Sequence, residues 1–299
     1  MLRIALSASV LACGVAAPAS AQLYFRDNFN RTTLSSPSPG PGGAYSATMP
    51  TGSSVTVTGT VLQLSNGTAD NGNMFVASAI ENSFPQLSAL PRWIEWRFNF
   101  RISVNPSGFD GSENGIAYVL AATSGNFDAA NGYAVVFERN GNNQIELVSF
   151  NNGLGADSNM TSIIATGNNP LGGGGTNYGS IRVTYNPVGN NWQLFVRNDG
   201  GTSFTDPYSG TINQVGATTS NNTFTSVDLT HTGAYLSFDF TNNRTGTFDN
   251  FTIAAVPEPT TWALMGLSAL GLVTGCYRYR RGIRSSLETE VETEENEVA

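Results

Sequence analysis

Residues 92–104 constrain the chain more than any other stretch. Ile94, Trp96, Phe98, Phe100, Ile102 and Val104 occupy one parity, and Glu95, Arg97, Asn99, Arg101 and Ser103 most of the other. Successive side chains of a strand point to opposite faces, so a period of two held this long puts the apolar set on one face of a sheet and the polar set on the other. A strand of this kind, half-buried and antiparallel, needs a second layer to cover its apolar face. Trp96, Phe98 and Phe100 are therefore expected in a core rather than on a ligand platform.

The rest of the chain repeats the signal in shorter pieces. Strands are expected at 23–29, 74–80, 115–122, 133–139, 144–150, 234–240 and 247–253. Residues 55–64 alternate around Gly59 as a hairpin or a bulged strand, and 181–196 alternate on both sides of Asn186-Pro187-Val188-Gly189-Asn190 as another hairpin. Asn140-Gly141-Asn142-Asn143 reads as a turn joining two strands, because Asn and Gly tolerate positive φ. Ser-, Pro- and Gly-rich residues 34–50 and the Gly run 172–175 read as loops, and 216–222 as a Thr/Asn-rich connection. No amphipathic helix is evident before residue 260. The pattern predicts an all-β jelly-roll sandwich; a β-helix or propeller ranks below it because no fixed-period repeat is present.

The two ends determine the compartment. Arg3, an apolar run over 4–17 and Ala19-Ser20-Ala21 form a signal peptide of residues 1–21, so the mature chain begins at Gln22. Cys13 and Cys276 fall in the terminal segments, which leaves the sandwich of residues 22–255 without thiols and dependent on its core. That region holds 15 acids against nine arginines and no lysine. Nucleic-acid binding relies on a basic stripe, which this composition does not supply.

Near the other end, Pro257-Glu258-Pro259 precedes an uncharged apolar run of about 17 residues, followed by Arg278, Arg280 and Arg281. The run is long enough to cross a bilayer as a helix, and the arginines behind it keep its far end in the cytoplasm. The three parts resemble the PEP-CTERM sorting signal of Gram-negative bacteria, here spanning residues 256–284. The resemblance implies that an exosortase-type membrane protease recognises the Pro-Glu-Pro stretch and removes the helix. The precursor is then anchored in the inner membrane, and the product passes to the cell surface or outside. A plain single-pass tail anchor is the alternative. Residues 285–299 depart from the pattern as an acidic extension, too charged to fold and expected to be disordered.

The middle of the chain resembles the concanavalin A-like domains, both L-type lectins and laminin-G-like domains. Ser112-Glu113-Asn114-Gly115-Ile116-Ala117-Tyr118 is similar to the lectins' Asp-Gly-(Ile/Leu)-Ala-Phe strand, and Val135-Val136-Phe137-Glu138 to their Val-Glu-Phe-Asp strand. Asp27-Asn28-Phe29 and Phe248-Asp249-Asn250-Phe251 are similar to paired terminal strands. The resemblance implies a glycan-binding loop at Asn114 and Gly115 that contacts exopolysaccharide. It also implies a metal site, but Val136 stands where the lectins carry a carboxylate, which removes a ligand calcium requires. Asp27 and Asp249, brought together by strand pairing, are the remaining candidates for a structural calcium.

Catalysis finds little support. The Glu-x-Asp-x-x-Glu run of concanavalin-like glycanases is absent, and His231 is the single histidine, placed in what reads as a turn. The expectation is an exported, non-catalytic structural or adhesive protein that requires no cofactor, with a glycan-binding module as the alternative.

Overall fold

The computed structural model describes residues 21–256 apart from 37–40, 70, 82–83, 103–107, 110–114, 138–143, 168–176 and 240–243. Within that span the strands, in chain order, are β1 (Leu23–Asp27), β2 (Tyr45–Thr48), β3 (Ser54–Thr58), β4 (Val61–Ser65), β5 (Gly72–Ala79), β6 (Trp93–Ile102), β7 (Gly115–Ala122) and β8 (Gly132–Phe137). They continue with β9 (Ile145–Phe150), β10 (Met160–Ala165), β11 (Tyr178–Asn186), β12 (Asn191–Gly200), β13 (Asn213–Ser220), β14 (His231–Phe238) and β15 (Thr245–Val256). They form two antiparallel sheets. One is eight-stranded in the order β13-β12-β11-β6-β15-β4-β3, with β1 added beside β15; the other is seven-stranded in the order β10-β9-β8-β7-β14-β5-β2.

The long alternating stretch lies at the centre of the eight-stranded sheet as β6, flanked by β11 and β15. Ile94, Trp96, Phe98, Phe100 and Ile102 all point into the space between the sheets and are buried. They meet side chains of the facing sheet: Phe98 stacks on Tyr118 at 4.6 Å, and Phe100 packs on Phe137 at 4.4 Å between ring centres. Trp96 stacks on Trp192 of its own sheet at 5.7 Å. Rings at these separations add edge and stacking attraction to the area they remove from water.

The inner strands of the seven-stranded sheet are buried on both faces. In β7, Ile116, Tyr118 and Leu120 face the inter-sheet core, while Ala117, Val119 and Ala122 join a second apolar layer on the outside. Phe109, Phe127, Ala130 and Leu154, from the connecting segments, cover that layer. This is why β7, β8 and β9 read as apolar runs rather than as alternating strands.

Several elements depart from the sequence expectation. β2 lies inside the predicted 34–50 loop, β13 overlaps the 216–222 connection, and β10 falls where no strand is expected; β2, β10 and β13 are all edge strands. An edge strand packs few side chains into the core, and β13 is mostly exposed along its length, so no apolar period marks it. His231 opens β14, paired between Ala79 and Ala122, instead of standing in a turn. The β3–β4 and β11–β12 hairpins form as expected. β8 and β9 pair as predicted, although their turn lies outside the described residues.

The polar face of β6 also differs from expectation. Asn99 is fully buried and Glu95 is 8% exposed, because residues 201–212 run across the outside of the eight-stranded sheet.

Candidate functional site

The predicted site residues fall into three places. Asn114 lies outside the described residues. Gly115 is the first residue of β7 and is buried, and a Cβ there would overlap the ring of Phe109. The missing side chain is therefore used by core packing on the outer layer.

Asp27 and Asp249 do lie on paired strands, with Asp27 opposite Phe251. Each carboxylate nonetheless has its own partners. Asp27, with no exposed surface, accepts the Phe29 N–H at 2.7 Å through one oxygen and pairs with Arg31 through the other. The Arg31 guanidinium is held 4.9 Å from the Tyr45 ring centre. Asp249 accepts the Asn250 N–H at 2.7 Å and its side-chain amide at 3.2 Å. Burial pushes the Asp249 carboxyl up to about 7, against a smaller opposing pull from the Asn250 N–H.

One Asp27 oxygen is committed to a cation, Arg31, which competes with a calcium ion for it, and among the described residues no three His, Cys, Asp or Glu side chains are grouped to hold a metal. Val136, at the position where the lectin resemblance places a ligand, is a fully buried member of the outer apolar layer. The melting temperature is accordingly expected to be the same in excess calcium and in EDTA, as thermal denaturation would show.

The most organised polar region lies on the outside of the eight-stranded sheet, where sequence reasoning placed only a charged face. Asn99 is its hub. Its amide donates to the Ser180 hydroxyl and to the Thr205 carbonyl, both at 2.9 Å, and its oxygen accepts the Asn250 amide at 2.9 Å. Ser180 donates to Asp199 at 2.6 Å, and Arg197 bridges Asp199 at 2.6 Å and Ser180 at 2.9 Å. Arg97 donates to Glu95 at 3.1 Å and to the Pro207 carbonyl at 2.6 Å. Asn99, Arg97 and Arg197 thus bind the carbonyls of the strap formed by residues 201–212 and hold it on the sheet.

Where the strap meets the β1–β15 pair there is a polar hollow of about 180 Å³, lined by Arg26, Asp27, Asn28, Asp206, Tyr208, Asn250 and Thr252. A β-bulge between Asp249 and Thr252 interrupts the register of β15, and Asn250 takes a left-handed φ of 52° there. Bulges re-aim side chains, and here the bulge turns Asn250 toward the hollow. Tyr208 is 54% exposed, with the Arg97 guanidinium 4.6 Å from its ring centre. Burial raises the Tyr208 hydroxyl above its ordinary value, partly offset by a hydrogen bond with Thr252. None of Asn28, Asp206, Tyr208, Asn250 or Thr252 was singled out from sequence as a site residue of this face. The available signal was the set of polar residues at alternate positions of 95–101 and 180–184, with Gln193, Arg197 and Asp199, which share a face only once the strands are paired.

Comparison with known proteins adds the following. A family model described as the PEP-CTERM protein-sorting motif matches residues 255–281. No curated protein matches the chain as a sequence. Solved structures similar in shape include lectin II from Ulex europaeus, at 11% identity over 79% of this chain and 100% of that one with a TM-score of 0.46. Peanut lectin with a 9mer peptide matches at 13% identity over 78% of this chain and 97% of that one, with a TM-score of 0.47. The potassium-bound carbohydrate recognition domain of Emp46p matches at 14% identity over 70% of this chain and 87% of that one, with a TM-score of 0.44. Pro257, Glu258, Pro259, Arg278, Arg280 and Arg281 lie outside the described residues but inside the matched segment. Among the described residues no helix is long and apolar enough to cross a membrane, and the apolar run after Pro259 is not among them. Residues 255–281 thus carry a PEP-CTERM protein-sorting motif, the mark of a protein that is exported, anchored in the membrane before cleavage and then released to the cell surface.

Proposed function

We propose that this protein is a non-catalytic component of the cell surface or extracellular matrix with a structural or adhesive role. An exosortase-type membrane protease acting at Pro257-Glu258-Pro259 releases it. In this reading residues 1–21 are a signal peptide, 22–255 the sandwich, 256–284 the sorting segment with its membrane helix and arginine cluster, and 285–299 an acidic cytoplasmic tail.

The observation that supports it most directly is where the matched motif begins. Ala255 and Val256 are the last residues of β15, paired with Ile94 and Trp93, and the Ala255 N–H donates to the Gln22 carbonyl at 2.8 Å. A cut beyond Val256 therefore leaves every strand in place, whereas a cut within β15 would strip a central strand from the eight-stranded sheet. The intact mass of the protein recovered outside cells is expected to correspond to a chain that begins at Gln22 and ends shortly after Val256. A product that retains the glutamate-rich end would overturn the proposal.

A second reading, a glycan-binding module that contacts exopolysaccharide, is favoured by one observation: the polar hollow beside the exposed ring of Tyr208.

A further inference from the structure

The geometry points to the hollow between the strap and the β1–β15 pair as a binding site for a single neutral sugar ring, on the outer face of the eight-stranded sheet. The inference rests on the glycan-binding reading and assigns it a place different from the Asn114–Gly115 loop.

The chemistry of the wall sets the ligand class. A pyranose presents hydroxyls that both donate and accept, together with an apolar face of C–H groups. Recognition takes amide, hydroxyl and carboxylate groups for the first and an aromatic ring for the second. The hollow has both. Asn28, Asp206 and Asn250 supply the polar groups, and Tyr208, a residue with more than half its surface in solvent, supplies the ring. The side-chain nitrogen of Asn250 is engaged by Asn99 and Asp249, so its carbonyl oxygen is the atom it can offer a ligand.

Charge argues against a strongly ionic ligand. Arg26 and Asp206 line the same hollow with opposite sign, and Asp27 is already paired with Arg31. Size argues against a long chain threading through. About 180 Å³ leaves room for one ring and lies below the usual range of small-molecule pockets. Binding is therefore expected to be weak for a single sugar and to gain from repetition along a polymer.

The wall is also held in position before any ligand arrives. The Asp206 carboxylate accepts the Tyr208 N–H at 2.9 Å, and Arg97, fixed by Glu95 and the Pro207 carbonyl, backs the Tyr208 ring. On the other side the bulge sets the Asn250 side chain, and its amide is tied to Asn99. Groups fixed in this way lose little freedom on binding.

The test uses the full-length chain in a detergent without a sugar headgroup and ligand-observed saturation-transfer NMR. The probes are the methyl glycosides of glucose, galactose, mannose and xylose, with glucuronic acid as the anionic comparison. At least one neutral glycoside is expected to receive saturation and glucuronic acid to receive less. Tyr208→Ala should reduce the signal at least tenfold, and Tyr208→Trp should retain it. Asp206→Asn, which keeps an acceptor for the Tyr208 N–H, should weaken it several-fold, with all variants showing the parent circular dichroism spectrum. A signal that survives Tyr208→Ala but is lost in Asn114→Ala overturns the hollow and leaves the glycan-binding reading standing. Silence from every neutral glycoside overturns both.

Discussion

Replacing Trp96 by alanine is expected to destabilise the sandwich by about 3–5 kcal/mol, the usual cost of truncating a fully buried aromatic side chain. Trp96 has no exposed surface and lies between the sheets against Trp192. It also makes a polar contact across the core, donating its indole N–H to the Leu120 carbonyl at 3.1 Å. Leu120 sits where the register of β7 slips against both β8 and β14, so the indole serves a backbone group at an interruption in the ladder. Trp96→Phe retains most of the apolar bulk but removes the donor. It should cost about 1–3 kcal/mol, the penalty of a buried acceptor left without its partner. Denaturant unfolding followed by far-ultraviolet circular dichroism would rank the two variants. A loss under about 0.5 kcal/mol for Trp96→Ala, the size of an ordinary surface change, would contradict the placement of Trp96 in the core.

Asp249→Asn is expected to stabilise the protein in alkaline solution and to leave it unchanged in acid. The Asp249 carboxyl is pushed up to about 7 by burial, against an ordinary value of 3.8, so the folded state holds a proton that the unfolded chain releases. Folding therefore favours the protonated form. Below about pH 4 both states are protonated and the group has no effect. As pH rises from about 4 to 7, the unfolded state ionises and the folded state does not, so stability falls; above about 7 the penalty is constant. At about 1.4 kcal/mol per pKa unit, the difference between variant and parent should grow to about 2–4 kcal/mol by pH 8. An asparagine oxygen can still accept the Asn250 N–H, so the local geometry is retained. Parallel urea titrations at pH 4, 6 and 8 measure the window. A difference that stays flat across it would show that Asp249 ionises freely in the folded protein.

These predictions draw on different amounts of sequence information. The alternation of residues 92–104 was enough to place Trp96 in a core, since each side chain in a strand must face the layer opposite to that of its neighbour. What lies behind the polar parity could not be read in the same way. Asn99 owes its burial to a strap that reaches it from a residue 106 positions away in the chain. No local period records that return. The hollow depends further on the Asn250 bulge and on β1 lying beside β15, both of them matters of register.

The sequence by itself determined the all-β class, the aromatic core, a hairpin or bulged strand at 55–64, a hairpin at 181–196, and the sorting signal at 256–284, which overlaps the matched motif at 255–281. These follow from side-chain alternation, turn chemistry and a contiguous signal, each written within a few tens of residues. Only the tertiary structure decided that the inner strands of the seven-stranded sheet are covered on both faces, that Asp27 is committed to Arg31, and that the outer face of the other sheet carries a strapped polar network with a hollow beside Tyr208. The physical reason is that burial and partnership of a polar group depend on which distant segment covers it. In an antiparallel sandwich, non-local strand pairing sets that cover.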